Sequence, residues 1–142
     1  MAGRTDRWPL PVLAVLGAAQ ALPAELDVAR QIGDSAARAG WVVLTGGGPG
    51  VMEAASRGAA EAGGLTVGVL PTSGPEPGYP NRWVAVPVYT GCGQARNAFI
   101  VLSARLCVAV GGGAGTLSEI ALAAKSGVEV WAWRTWRASP SV

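Results

Sequence analysis

The sequence predicts an α/β fold, a single doubly wound parallel sheet with helices on both faces, of the Rossmann-like type. Short apolar runs alternate with longer segments of helical periodicity, which is typical of strand–helix–strand units. The apolar runs are continuous in Val, Leu and Ala, as expected for strands covered on both faces. A chain of 142 residues is one domain by length, so a single domain is predicted over residues 1–142.

Ten segments carry this alternation, in the order strand, helix, strand, helix, strand, strand, helix, strand, helix and strand. A loop rich in proline and glycine, "PTSGPEPGYPNR", joins the third strand to the fourth. Parallel sheets of this kind bind ligands beyond the carboxyl ends of their strands. The strands are predicted at 11–16, 41–45, 65–70, 83–86, 106–110 and 128–133, and the helices at 23–39, 50–62, 94–104 and 115–126.

The first strand competes with a second interpretation, a secretory signal peptide. Arginines, an apolar run at 10–16 and an Ala-Gln-Ala sequence at 19–21 resemble one. The run is short, contains Pro11 and follows Asp6, so a buried strand is the better interpretation. No apolar stretch reaches the roughly 18 residues of a membrane span. We therefore expect a cytoplasmic protein with no membrane partner.

Missing residue types exclude several kinds of chemistry. The chain has no histidine, which excludes Ser-His-Asp and Cys-His catalysis and histidine metal sites. Its one lysine, Lys125, is predicted in the closing turn of a helix, where a cation suits the helix dipole and a Schiff base would be poorly placed. Cys92 and Cys107 lack metal-ligand spacing and are predicted to be free thiols in a reducing compartment. No metal site is expected.

The charge of the chain limits its partners. The formal net charge is +2 and the arginines are scattered along the sequence. Such a distribution forms no basic face, so nucleic acid is not an expected partner. A small anionic ligand remains compatible with it, since one or two arginines suffice to bind one.

Two predicted strands are each followed by a GGGxG loop and a helix. Neither loop contains the GK[ST] of a Walker A motif, and the second departs from GxGxxG because Thr116 occupies the place of the third glycine. Glycines let backbone N–H groups close on an anion at a helix N-terminus, which predicts a phosphate-bearing ligand. The alternative is that they only make tight turns. The glycines are Gly46, Gly47, Gly48 and Gly50 in the first glycine loop, and Gly111, Gly112, Gly113 and Gly115 in the second.

Thr116 and Glu119 allow two interpretations. The spacing T-x-x-E is that of a capping box, in which both side chains serve only to start a helix. In the functional interpretation, the Glu119 carboxylate faces the anion site as a general base or as an acceptor for a sugar hydroxyl. The residues alone leave both open.

Three stretches together resemble the LOG-like family of Rossmann-type proteins: "GGGPGVMEAASRGAAEAGGLTVGVLP", "GCGQARNAFIVLSARLCVAVGGG" and "GGGAGTLSEIALAAKSG". The likeness spans about residues 12–133. Members of the family have been labelled lysine decarboxylases, and its typified members are cytokinin riboside 5'-monophosphate phosphoribohydrolases. Decarboxylation does not suit this chain, because pyridoxal phosphate needs a lysine and Lys125 is at the wrong end of its helix.

The resemblance implies hydrolysis of the N-glycosidic bond of a nucleoside 5'-monophosphate to free base and ribose 5-phosphate, with no required cofactor. It assigns Glu119 as the catalytic glutamate, which can stabilise an oxocarbenium-like state. It assigns Arg96 as the catalytic arginine, which can hold the phosphate or the departing base. The alternative for Arg96 is a surface residue at a helix start. In the family motif PGGxGTxxE, the phosphate-loop positions of this chain are Gly112, Gly113, Gly115 and Thr116.

Departures from the motif indicate another branch of the family. Gly111 replaces the motif proline, Ser118 stands where the hydrolases carry a further acid, and Asn97 follows the arginine where they have lysine. The combination is similar to the molybdenum cofactor carriers, which bind a phosphate-bearing pterin without turning it over. Hydrolysis is the first hypothesis, a carrier of a phosphate-bearing cofactor such as the molybdenum cofactor is the alternative, and a nucleotide-sensing or structural subunit is the third.

The resemblance also implies a homodimer or a larger homo-oligomer, with the pocket completed from both subunits. The predicted helix at 94–104 is apolar nearly all round, so it must be covered on more than one side. Trp131, Trp133 and Trp136 add apolar area near the end of the chain.

Overall fold

The fold is an alternation of strands and helices, seen in a computed structural model that describes residues 9–136. The ends of the predicted 1–142 domain lie outside the described residues. A 3-10 turn at Gly93–Arg96 leads into the third helix. The elements are β1 (Val12–Gly17), α1 (Pro23–Arg38), β2 (Val42–Thr45), α2 (Val51–Glu61), β3 (Thr66–Leu70), β4 (Val86–Tyr89), α3 (Asn97–Ser103), β5 (Leu106–Val110), α4 (Ala114–Lys125) and β6 (Glu129–Trp133).

Within the described residues, six strands form one parallel sheet in the order β4-β3-β2-β1-β5-β6. The chain winds outward from β1 to β4 and then crosses back to β5 on the other side of β1. The winding direction therefore changes between β1 and β5, which is where open α/β sheets have their ligand crevice. This architecture confirms the predicted fold class.

Helices cover both faces of the sheet, as predicted. On one face, α1 and α2 pack against the buried side chains of Val15, Val43 and Val108. On the other face, α3 and α4 pack against Leu16, Leu44 and Ala109. Successive strand residues point to opposite faces, so continuous apolar strands fill both layers. No helix within residues 9–136 combines the length and the apolar content that a membrane crossing needs.

The fourth strand lies later in the chain than predicted. The prediction was 83–86, whereas β4 begins at Val86 and continues to Tyr89. The residues before it are irregular because Thr66 binds them: its hydroxyl donates to the carbonyl of Trp83 (2.6 Å) and accepts from the amide of Ala85 (2.8 Å). β4 is also an exposed edge strand, so its residues lack the buried pattern that identified the others.

The two helices on the first face touch at the backbone through a pair of glycines. A Cβ atom added to Gly33 would lie inside contact distance of the Ala55 carbonyl oxygen, and one added to Gly58 would do the same at the Arg30 carbonyl oxygen. Both glycines lie in helix interiors, where glycine itself is unfavourable. The close approach of α1 and α2 therefore explains why they are tolerated.

We predict that Gly58→Ala destabilises the protein by about 1–3 kcal/mol, because the clash with the Arg30 carbonyl outweighs the gain in helix propensity. Gly115→Ala in α4 is the matched control, since a Cβ there would meet no atom within 4 Å. The control should be neutral or more stable by up to about 1 kcal/mol. Urea unfolding measures both. A Gly58→Ala protein as stable as the control would disprove the backbone contact.

Candidate functional site

A cavity of about 310 Å³ lies beyond the carboxyl ends of β1, β2 and β5, at the point where the winding direction changes. It brings together six residues predicted from the sequence: Gly46, Arg96, Gly113, Gly115, Thr116 and Glu119. Side chains that sequence reasoning did not single out for the site complete its wall, among them Met52, Tyr79, Gln94 and Asn97.

A larger cavity, of about 650 Å³, lies between α1 and β6. Its lining is almost wholly apolar, with Trp41 and Trp133 among the side chains and no charged group among the lining residues. A phosphate would find no cation there. The smaller cavity, with its arginine and its glycine loop, is therefore the candidate site.

The second glycine loop presents open backbone amides to the cavity. Gly111 (φ 56°) and Gly112 (φ 97°) adopt left-handed conformations that favour glycine. After the Gly111 amide, which donates to the Trp133 carbonyl (3.0 Å), the next amide with a backbone acceptor in residues 9–136 is that of Leu117. The amides of residues 112–116 are thus left free at the N-terminus of α4. Such a run of N–H groups binds anions.

The wall of this loop has space for a ligand. A Cβ atom added to Gly113 or to Gly115 would meet no protein atom within 4 Å. Both residues line the cavity. The glycines at these two positions therefore keep the approach to the amides clear, which is how a phosphate cradle is built.

The first glycine loop offers fewer amides to an anion: the Gly47 amide donates to the Thr45 hydroxyl (3.0 Å), the Val51 amide donates to the Ala18 carbonyl (3.1 Å), and proline at position 49 has no N–H. Its carbonyl groups are also bound. The Gly46 carbonyl accepts from Arg96, and the Gly47 and Gly48 carbonyls accept from the backbone amide and the side-chain amide of Asn81, each at 2.8 Å. Of this loop only Gly46 lines the cavity.

Close packing and backbone conformation explain two further glycines. A Cβ at Gly50 would collide with the Ala18 carbonyl, and Gly111 adopts a left-handed φ of 56°. Five of the predicted phosphate-binding glycines are absent from the cavity lining, and their ligand contacts stay predictions. They are Gly47, Gly48, Gly50, Gly111 and Gly112.

Arg96 is buried, with 4% of its surface exposed, so it is not the surface residue of the alternative interpretation. Its Nη1 donates to the carbonyls of Gly46 and Val69 (2.7 Å to the latter), at the ends of β2 and β3. Its Nε is buried and has no hydrogen-bond partner within residues 9–136. Leaving a charged group partly unsatisfied is costly, and an anion in the cavity would offset that cost.

Glu119 lies in the same cavity and is not part of a capping box. Helix α4 begins at Ala114, with Gly113 as its N-cap and no side-chain cap, so Thr116 is already inside the first turn. Burial raises the pKa of Glu119 to about 7, and the nearby charge of Arg96 opposes the rise. Burial together with Glu119 raises the pKa of the Cys107 thiol to about 12. Glu119 is thus a buried carboxyl that gains and loses its proton near neutral pH.

Which residues of the loop at 71–85 enter the site is the part that the sequence did not identify. Asn81 fastens the first glycine loop, and Tyr79 contributes to the cavity wall. The composition of the loop predicts turns but not where its side chains lie. Within residues 9–136, no group of three or more His, Cys, Asp or Glu side chains could hold a metal ion.

Comparison with known proteins identifies similar chains. The sequence model of the SLOG cluster4 family matches residues 11–141. An uncharacterized protein of Archaeoglobus fulgidus is 39% identical over 118 residues, which are 83% of this chain and 76% of that protein.

Solved structures of similar fold include proteins that bind the molybdenum cofactor. The molybdenum cofactor binding protein of the phototrophic bacterium Rippkaea orientalis has 45% identity and a TM-score of 0.82, over 86% of this chain and 75% of its own. The molybdenum cofactor carrier protein of Chlamydomonas reinhardtii has 40% identity and a TM-score of 0.80, over 89% of this chain and 78% of its own.

The raised pKa of Glu119 predicts that the protein loses stability as the pH rises. The carboxyl binds its proton more tightly in the folded chain, where its pKa is about 7, than at its ordinary value of 4.5. The free energy of unfolding should therefore fall from about pH 4.5 through pH 7, by about 3 kcal/mol for this group. Glu119→Gln removes the group, so its stability relative to the wild type should rise over that interval.

Urea unfolding at a series of pH values measures this difference. Glu76→Gln is the control, because it removes an exposed carboxylate from a loop outside the cavity, and it should parallel the wild type. A Glu119→Gln protein that also parallels the wild type would show that Glu119 ionises as an ordinary exposed acid.

Proposed function

The chain belongs to the SLOG cluster4 family, and we propose that it binds a phosphate-bearing cofactor, such as the molybdenum cofactor, as a carrier. The single observation that carries the proposal is the run of amides at residues 112–116, which have no acceptor within residues 9–136; three of these residues, Gly113, Gly115 and Thr116, line the cavity that also holds the buried Arg96. The similarity to a molybdenum cofactor binding protein and to a molybdenum cofactor carrier protein supports the choice of ligand.

The residues present fit the phosphate end of such a ligand. Phosphate oxygens accept hydrogen bonds from the amides at the start of α4, where the helix dipole favours negative charge. Thr116 adds a hydroxyl in the same turn, and the guanidinium of Arg96, which lines the same cavity, adds a positive charge. The molybdenum cofactor supplies a metal-bearing pterin when bound. The residues of this chain hold, orient and shield its phosphate.

Glu119 favours hydrolysis of a nucleoside 5'-monophosphate as the second candidate function. A carboxylate in the same cavity as Arg96 can position water and stabilise an oxocarbenium-like transition state. With a pKa of about 7, Glu119 can also accept a proton from water near neutral pH. Hydrolysis was the first hypothesis from the sequence. The similarity to carrier proteins supports binding without turnover better than it supports hydrolysis.

An exposed apolar surface supports the proposal of a homodimer. The side chains of Phe99 and Leu102 on α3 are 54% and 61% exposed, while Ile100 and Val101 of the same helix are buried. Next to α3, a groove of about 510 Å³ exposes the sheet where no helix joins β3 to β4; Val67 and Val88 are among its lining residues. The sheet covers only one side of α3. A second copy of the chain would cover the other side.

We predict that Gly113→Val abolishes ligand binding and leaves the protein folded. Gly113 has a negative φ (−115°), and the added side chain would fill open space in front of the amides. Thermal stabilisation by ribose 5-phosphate and by the isolated molybdenum cofactor measures binding. Gly74→Val, at a loop glycine with equally open space outside the cavity, is the control and should bind as the wild type does. A wild-type chain stabilised by neither ligand would favour the structural subunit instead.

The second function predicts turnover that a carrier lacks. Incubation with AMP and other purine riboside monophosphates should release free base and ribose 5-phosphate if the chain is a hydrolase. Glu119→Gln and Arg96→Ala should then each lower kcat at least a hundredfold, the usual effect of removing a general acid–base group, about 10²–10⁴. Binding without product release by the wild type would exclude hydrolysis of these substrates.

The homodimer predicts a mass near twice 14.3 kDa in light scattering at micromolar concentration. Leu102→Glu places a charge in the proposed interface and should give monomers. Leu65→Glu changes another exposed leucine, 45% exposed and outside the groove, and should leave the mass unchanged. A wild-type mass of one chain would rule out a pocket shared between subunits.

A further inference from the structure

We infer that Tyr79 is the surface on which the ligand stacks a flat heteroaromatic ring, so the ligand class is a heteroaromatic phosphate ester. The inference rests on the proposed binding of phosphate at the second glycine loop. It adds a second recognition element to the cavity and excludes simple sugar phosphates as the preferred ligand.

Tyr79 is fixed before any ligand arrives. Its amide donates to the Glu76 carbonyl (2.9 Å) and its carbonyl accepts from the Glu76 amide (2.8 Å), across a turn in which Gly78 has φ 82°. Two residues later, Asn81 ties the loop to the carbonyls of the first glycine loop. A ring on so firmly attached a backbone loses little conformational entropy on binding.

The ring of Tyr79 lies between the first glycine loop and the cavity. A Cβ atom added to Gly48 would lie 2.6 Å from its Cε1 atom, so only glycine lets the ring sit there. The guanidinium carbon of Arg96 lies 5.9 Å from the ring centroid, near the outer limit of a cation–π contact. Tyr79 remains partly exposed and lines the cavity. Its ring is therefore available to a ligand.

The two ends of the cavity are separated by the length of such a ligand. The free amides follow β5, whereas Tyr79 packs on the loop that follows β2, and β1 lies between these strands. Neighbouring strands are about 4.8 Å apart, so the two ends are roughly 10 Å apart. A phosphate bound at one end would place a ring joined to it by a short linker, such as a ribose, at the other.

Polar groups at the aromatic end suit a heterocycle rather than a hydrocarbon ring. Gln94 and Asn97 line the cavity together with Tyr79, and their side-chain amides can both donate and accept hydrogen bonds. Met52 and Ile100 supply apolar contact. A few polar groups set among apolar ones are what fixes the orientation of a small ligand. Nucleobases and pterins share this chemistry, so the test must compare them.

The experiment measures affinities of the full chain for ribose 5-phosphate, AMP and the isolated molybdenum cofactor by calorimetry. The wild type should bind ribose 5-phosphate, and bind AMP or the cofactor about tenfold more tightly or better, the usual effect of stacking one base on an aromatic ring. Tighter binding of AMP would identify the preferred ring as a nucleobase, and tighter binding of the molybdenum cofactor would identify it as a pterin. Tyr79→Leu should remove that advantage and leave ribose 5-phosphate unchanged, while Tyr79→Phe should keep it.

A spectroscopic readout keeps the inference testable if Tyr79→Leu fails to fold. The chain has two tyrosines, Tyr79 and Tyr89, so ring signals of tyrosine-labelled protein can be assigned with a Tyr89→Phe variant. The preferred heteroaromatic ligand should shift the Tyr79 ring protons upfield, and ribose 5-phosphate should not. Binding of the heteroaromatic ligand with no upfield shift of the Tyr79 ring protons, or equal loss of all ligands in Tyr79→Leu, would overturn the inference. If none of the three ligands binds the wild type, the proposed function itself fails.

Discussion

The buried guanidinium of Arg96 is the interaction on which the site depends. Its Nη1 donates to the carbonyls of Gly46 and Val69. These two hydrogen bonds tie the ends of β2 and β3 to the start of α3. Burying this charge is unfavourable unless its donors are matched. Two backbone carbonyls match only part of it, and the buried Nε has no hydrogen-bond partner among residues 9–136. The same residue thus shapes the first glycine loop and makes the cavity attractive to an anion.

The two glycine loops look alike in sequence and differ in structure. In the first glycine loop, three successive carbonyls are bound by Arg96 and Asn81, so the loop serves as a wall. In the second, the five successive amides of residues 112–116 have no acceptor within residues 9–136, and two glycine faces are open. An anion needs N–H groups without acceptors. The second loop alone combines these features with a place in the cavity wall beside Glu119.

Most of the fold could be predicted from the sequence because continuous apolar strands and glycine-rich joints define each unit. The exception, β4, is an exposed edge strand whose start depends on hydrogen bonds from Thr66. Arg96 and Glu119 were predicted through the family resemblance, and the structure puts them in one cavity. Which glycine loop is open could not be predicted. The side chains that bind the carbonyls of the first glycine loop come from far along the chain: Asn81 is 33 residues from Gly48, and Arg96 is 50 residues from Gly46.

The central claim is that a phosphate binds to the amides at the start of α4. The most direct measurement is an amide nitrogen–proton NMR spectrum of the full chain during a titration with ribose 5-phosphate. The largest shift changes should occur at residues 112–116, with smaller changes at residues 46–50, because the Gly47 amide already donates to the Thr45 hydroxyl and proline at position 49 has no N–H. Saturating changes confined to residues 46–50, or elsewhere in the chain, would contradict the account.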